Sequence, residues 1–145
     1  MEIQFLETSF NTHYYKEACQ LRDDILRKPL GMSLYDQNLE EEKDYIHIIA
    51  KSSNDEVIAY LQFRLLDDNT AKMQQVAVRK KNQTNGIGRR LVNHSEQFIK
   101  NTGVRFIVLH AREPVIGFYE KLGYQKIGEK FLEATIPHYK MKKSI

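Results

Sequence analysis

Apolar and polar positions alternate along the chain in two distinct periods, and the switches between them divide it into elements. Ile3 to Glu7 alternates in the two-residue period of a strand. From Thr12 to Lys28 the apolar residues Tyr14, Ala18, Leu21 and Ile25 recur at three- and four-residue spacing, which predicts an amphipathic helix with Thr12 as its N-cap and Pro29 as its stop. Gly31 to Asp44 has no period and reads as a loop carrying Asp36, Glu40, Glu41, Glu42 and Asp44. Tyr45 to Lys51, Val57 to Leu66 and Lys72 to Val78 read as three strands, with Val57, Ala59, Leu61, Phe63 and Leu65 on one face of the second. The polar runs Ser52 to Asp55 and Asp67 to Thr70 are short turns of the kind that join antiparallel strands.

After this meander the grammar changes. A glycine-containing loop leads into a helix from Gly86 to Lys100, with Ile87, Leu91, Ser95 and Phe98 on its apolar stripe. A strand at Arg105 to Leu109 and a short helix from Pro114 to Leu122 follow, Pro114 suiting the first turn and Gly123 the stop. Tyr124 to Ile127 and His138 to Lys142 read as closing strands. The order β-α-β-β-β-α-β-α-β-β predicts an α/β (α+β) fold: a mixed, mostly antiparallel sheet with helices on both faces, in one domain spanning residues 1–145.

Composition narrows this picture. Apolar residues make up 41% and charged residues 28% of the 145 residues, enough to bury a core unaided and far from the signature of disorder. The one cysteine, Cys19, excludes an internal disulfide, and the segment from Met1 to Phe5 lacks the basic start and apolar stretch of a signal peptide, so a reducing cytoplasm is expected. Within the predicted helix Cys19 reads as a small buried residue. No run approaches the roughly 20 apolar residues of a membrane span. A net charge of +3 suits an anionic ligand better than nucleic acid, which asks for a more concentrated basic face. No metal is expected, and a homodimer remains as open as a monomer.

The stretch from Gln75 to Arg90 carries the most chemistry. A strand feeds a loop, and the loop feeds a helix whose first N–H groups have no partners within the helix. Free donors and the positive end of the helix dipole make such an N-terminus an anion site. Gly86 and Gly88 let a ligand approach the backbone, and Arg79, Lys80, Lys81, Arg89 and Arg90 surround the loop with charge. A nucleotide P-loop needs Lys-Ser/Thr after its second glycine, where this chain has Arg89-Arg90. A dinucleotide fingerprint needs a third glycine where this chain has Leu91.

Gln83-Thr84-Asn85-Gly86-Ile87-Gly88 instead resembles the Q/R-x-x-G-x-G/A motif of GNAT-superfamily acetyltransferases. Ala111-Arg112-Glu113-Pro114-Val115-Ile116-Gly117-Phe118-Tyr119-Glu120-Lys121-Leu122-Gly123-Tyr124 is similar to the family's second segment, in which Ala is followed at a distance by F-Y-E-K-L-G-F/Y. Ile136-Pro137-His138 further resembles a segment of small bacterial GNAT proteins. The resemblance implies an N-acetyltransferase that moves an acetyl group from acetyl-CoA (coenzyme A) to a small-molecule or peptide amine. A regulatory module that binds acyl-CoA without turnover is the alternative. It further implies that Val76, Ala77 and Val78 pair with the pantetheine arm and that Gln83, Thr84, Asn85, Gly86, Ile87, Gly88 and Arg89 receive the pyrophosphate. Phe118 would lie beside the cofactor and Lys121 near its adenosine end.

The chemistry needs a neutral amine and a proton for the departing thiolate. Tyr119 suits the second task, because a phenol of pKa near ~10 is protonated at neutral pH. A backbone N–H of Val76 or Ala77 would stabilise the oxyanion. The base is less defined. Relatives often carry glutamate on the strand before the loop, where this chain has Gln74 and Gln75, whose amides take up no proton. His110 and His138 are the two remaining candidates. The acidic segment from Asp36 to Asp44 is a candidate attractor for a cationic acceptor, and the acceptor itself is not legible.

Overall fold

A computed structural model describes residues 2–145; Met1 lies outside it. Seven strands, β1 (Ile3–Thr8), β2 (Ile46–Ser52), β3 (Val57–Leu65), β4 (Thr70–Val78), β5 (Phe106–Arg112), β6 (Gln125–Glu133) and β7 (Ile136–Ser144), form one sheet. The helices are α1 (His13–Arg22), α2 (Ile87–Lys100) and α3 (Ile116–Lys121). The sheet order is β1-β2-β3-β4-β5-β7-β6. Neighbours are antiparallel except β4 and β5, which run parallel because α2 carries the chain from one to the other.

Two apolar layers fix the faces. On one side Ile87, Leu91, Val92 and Ile99 of α2, with Ile116 and Tyr119 of α3, pack on Ile48, Leu61, Phe63, Ile107 and Leu109. On the other, Ala18 and Leu21 of α1 pack on Ile49, Val57, Tyr60 and Ala77. A strand buried on both sides reads as a continuous apolar run. That corrects the single-face reading of β3. Val57 and Tyr60 face α1, while Ala59, Leu61 and Phe63 face α2. Leu65 is 56% exposed.

Helix α1 begins as expected, with Thr12 Oγ1 accepting from Tyr15 N–H at 3.2 Å. It ends earlier than its periodicity suggests. After Arg22 the chain widens into a π turn at Asp23–Arg27 and then a tight 3₁₀ turn at Lys28–Leu30 that contains Pro29. The extra residue of a π turn re-phases the side chains that follow it. The Asp23 carboxylate accepts from Leu34 N–H at 2.8 Å and folds the chain back over the sheet. The segment expected as a solvated acidic loop is two short 3₁₀ turns, Leu34–Asp36 and Leu39–Asp44, and its Glu42 is buried.

Candidate active site

The sheet opens at its centre. Pairing of β4 with β5 runs only through Thr70 and Phe106, Ala71 and Ile107, and Lys72 and Val108, and then stops. On its other edge β4 stays paired with β3 as far as Val78, with a register shift between Tyr60 and Gln62. The shift accommodates Gln75, which holds a left-handed φ of 57°. From Met73 to Val78 the backbone groups of β4 that face β5 are therefore without ladder partners, and they line a splay between the two strands.

Directly beyond the splay comes the loop. Arg79 N–H donates to Ile58 O at 2.7 Å, a 3₁₀ turn spans Lys80–Asn82, and Gly86 takes a φ of 74° that turns the chain into α2. Gln83 donates its amide to Val78 O at 3.0 Å, bracing the turn. Thr84 and Asn85 are exposed at its tip. Arg90 is the first residue to close onto the helix, at 3.1 Å to Gly86 O, and no side chain caps it. The N–H groups of Ile87, Gly88 and Arg89 thus point outward at the positive end of a 14-residue helix. Ile87 buries its side chain in the core, so its backbone alone is on offer.

The two sequence segments meet at Gly88. A β-carbon there would lie 3.5 Å from Phe118 Cζ and 3.6 Å from Val78 Cγ2, so the Phe118 ring rests against the glycine and the strand end. Tyr119, next in α3, is 7% exposed and packs edge-on to Phe118 and Tyr124 at centroid distances of 5.0 and 5.7 Å. Burial holds its hydroxyl well above the ordinary phenol range, so it stays protonated. Lys121 stands exposed in the last turn of α3.

The cations expected around the loop are largely engaged elsewhere. Arg79 donates to Val57 O at 2.7 Å, Lys81 pairs with Glu56 at 3.1 Å, and Arg90 lies over the Phe5 ring at 5.2 Å. Lys80 and Arg89 remain exposed. The loop offers backbone donors more than side-chain charge. Cys19 is buried, and that burial raises its thiol above the usual range despite Arg22 nearby.

On the α1 face, β5 and the β6–β7 hairpin bring the two histidines to one carboxylate. His110 Nδ1 lies 3.0 Å from Glu133 Oε1, and His138 Nε2 lies 3.6 Å from Glu133 Oε2. His138 donates its Nδ1–H to Ile136 O at 2.8 Å, and Phe131 packs against both rings. Partial burial would raise the Glu133 carboxyl. The hydrogen bond from His110 and the charges of His110, His138 and Lys72 outweigh it and hold the carboxyl below its usual range. Nothing in the sequence pattern singled out Glu133, because its partners lie on two other strands.

A cleft of about 410 Å³ opens beside the bulge, walled by Arg22, Arg27, Glu42, Arg64, Gln74 and Gln75 among others. Its floor is a buried network. Arg22 forks onto Glu42 at 2.8 and 2.6 Å, Tyr15 donates to Glu42 at 2.7 Å, and the chain of amides runs from Tyr60 through Gln62 to Gln74. Glu42 is thus not available to attract a cation, as its place in an acidic run suggested. Burial alone would raise its carboxyl, but Arg22 and Tyr15 hold it below the usual range.

Comparison with known proteins agrees with this geometry. The sequence pattern of the acetyltransferase (GNAT) family matches residues 10–124, and the chain belongs to that family. Over 77 residues it is 36% identical to YyaT of Bacillus subtilis, an uncharacterized protein, covering 53% of this chain and 52% of YyaT. The chain thus matches about half the length of that curated relative. An acyl-CoA N-acyltransferase from Pseudomonas aeruginosa shares the fold with a TM-score of 0.81 at 19% identity, covering 98% and 99% of the two chains. A GNAT family acetyltransferase from Elizabethkingia anophelis, solved with acetyl-CoA bound, superposes with a TM-score of 0.73 at 21% identity over 99% and 98%. Among the described residues no helix is long and apolar enough to cross a membrane.

Proposed function

We propose that the protein is an acetyl-CoA-dependent N-acetyltransferase, acting as one domain over residues 1–145. The observation that carries this reading is the abrupt end of β4–β5 pairing at Lys72 and Val108, beside the uncapped start of α2. An extended amide-bearing arm fits the open edge of β4 at Val76, Ala77 and Val78. A diphosphate fits the N–H groups of Ile87, Gly88 and Arg89, with Thr84, Asn85 and Gly86 at its rim and Lys121 toward the far end. When bound, the cofactor supplies an acetyl group activated as a thioester.

The residues around the splay then divide the work. Glu133 accepts from His110 Nδ1–H, which leaves Nε2 with its lone pair to take a proton from the incoming ammonium. His138 is held the other way round, with Nδ1–H donated to Ile136 O and Nε2 turned toward Glu133 Oε2 at 3.6 Å, so a proton taken up there is shared with that carboxylate. A backbone N–H of Val76 or Ala77 donates to the oxygen of the attacked carbonyl. Tyr119 donates its hydroxyl proton to the departing sulfur.

Ile136-Pro137-His138 supports placing the chain with small bacterial members of the family, and the buried thiol of Cys19 suits a reducing cytoplasm. The test is a panel of amines with acetyl-CoA, read by thiol release and by thermal melts. Ligand at 100 times its Kd should add about 2.7 kcal/mol of apparent stability. No shift at millimolar acetyl-CoA would sink the reading, and binding without turnover of any amine would assign a non-catalytic module.

A further inference from the structure

The sheet face beyond α1 gathers cations in excess of its acids, which are Glu41 and Glu42 at the cleft and Glu133 beside the two histidines. In the register, Arg64 sits opposite Lys72 and Lys72 opposite Val108, which puts them on the face opposite the core residues Ile107, Leu109 and Ala111. His110 and Arg112 alternate onto that same face of β5, with Lys140 across from His110 on β7. Arg27 comes down on it from the π turn. Its Nε–H reaches Gln37 Oε1 at 2.9 Å and one Nη2–H reaches Gln75 Oε1 at 3.1 Å. These partners and Leu26 O, which accepts from Nη1 at 3.5 Å, are all neutral amide groups, and among the described residues none of Arg27, Arg64, Lys72 or Arg112 forms an ion pair.

A half-buried guanidinium held only by amides is an expensive arrangement unless an anion completes it. Burial lowers the pKa of Arg27, and the charges of Arg22 and Arg112 lower it further, against a smaller opposing effect of Glu42 and Asp23. Lys72 is depressed in the same sense, by burial and by Arg64 and Lys140 against Glu133. Glu42, the buried acid of the wall, is already taken by Arg22. Two amides fix the plane of the Arg27 fork where it lines the cleft, and its Gln75 partner is the bulged residue next to Val76.

We infer that the acceptor is an amine that carries its own carboxylate, an α-amino acid or a close analogue, and that Arg27 receives the carboxylate in the cleft. The inference rests on the acetyl-transfer reading and names its substrate class. A planar carboxylate matches the guanidinium fork. Held next to Gln75, the adjacent amine is directed to the splay at Val76. The surrounding cations of Arg64, Lys72 and Arg112 disfavour a free monoamine or polyamine by repulsion.

The test compares matched acceptors that differ only in the anion: L-phenylalanine with phenethylamine, L-alanine with ethylamine, and O-phosphoethanolamine with ethanolamine. In the wild-type protein the carboxylate-bearing member of each of the first two pairs is expected to have the higher kcat/KM, by about tenfold or more, with the phosphate pair testing whether another anion suffices. Arg27→Gln should bring the ratio close to one, and Arg27→Lys should keep part of it. Calorimetry with N-acetyl-L-phenylalanine against N-acetylphenethylamine reads the same preference without turnover and without any variant. Equal or weaker binding of the carboxylate member to the wild-type protein overturns the inference. So does an unchanged ratio in a folded Arg27→Gln protein, and a preference confined to the phosphate pair replaces carboxylate with phosphate. Failure of acetyl-CoA to stabilise the protein is the separate result that removes the acetyl-transfer reading itself.

Discussion

The two sides of the splay are built from different materials. On the α2 side, the strand edge at Val76 to Val78, the turn at Gly86 and the start of α2 present backbone groups, and the side chains nearest them are glycine, valine and phenylalanine. On the α1 side, the cleft is made of side chains: arginines, glutamines and a buried glutamate drawn from the π turn, the 3₁₀ segment and strands β3 and β4. The first surface depends on where the chain goes. The second depends on which residues it carries, so it can change its ligand while the fold stays fixed.

The largest expected effect breaks the side-chain half. Glu42→Ala would leave the Arg22 guanidinium buried without its partner, and loss of one member of a buried pair costs about 3–5 kcal/mol. A fall in melting temperature of roughly 10 °C follows for a chain of this size. The wild-type pair also has a pH signature. Because folding lowers the Glu42 pKa, its contribution is present above the ordinary carboxylate range and is lost as pH falls through the folded value. A wild type with the same acid stability profile as Glu42→Ala would show that the pair does not hold the cleft floor.

Tyr119→Phe sharpens the comparison on the chemistry between the two halves. It keeps the ring packed against Phe118 and Tyr124 and removes only the donor, so single-turnover acetyl transfer should fall roughly 10²-fold with little change in cofactor affinity. Full activity would reduce Tyr119 to a packing residue.

Gly88→Glu probes the backbone half. The new side chain must grow past Phe118 and Val78 into the helix N-terminus, and its charge opposes an anion there. Affinity for coenzyme A should drop by about tenfold or more while the melting temperature of the free protein changes little. Unchanged affinity in the folded variant removes this turn from the site. The smallest effect is expected at Glu133→Gln, which replaces the charged acceptor of His110 Nδ1–H with a neutral amide and so weakens its hold on the imidazole. It should lower kcat about tenfold, leave the KM for acetyl-CoA alone, and be partly rescued by Glu133→Asp. An unchanged kcat would release Glu133 from that role.

The same contrast explains what could be read in advance. The element order, the N-cap at Thr12 and the turn into α2 were legible because each is local: a cap, a period or a glycine at a left-handed position announces itself within a few residues. The full length of β6 and β7 was not. Their connection turns at Ala134 and Thr135 with φ of 51° and 63°, where a glycine or asparagine would have signalled the hairpin. Glu42 looked like part of a solvated acidic run because its partner, Arg22, is 20 residues away. His110 and His138 were found as residue types, but Glu133, which joins them, carries no local mark. Arg27 was hidden by the π turn, which ends the helical period on which its position would have been judged.

One consequence follows from the short seam between β4 and β5. Four strands on one side of it and three on the other are held together by three register pairs and the layer of α2 and α3 beneath. The amides of β4 between Met73 and Val78 that face the gap have no bonded carbonyl to slow their exchange with solvent, whereas those of β2 and β3 lie deep in the ladder. A ligand laid along that edge would act as an added strand and tie the two halves into one cooperative unit. Deuterium uptake at Val76 to Val78 should therefore report whether the gap is filled, before any product is formed.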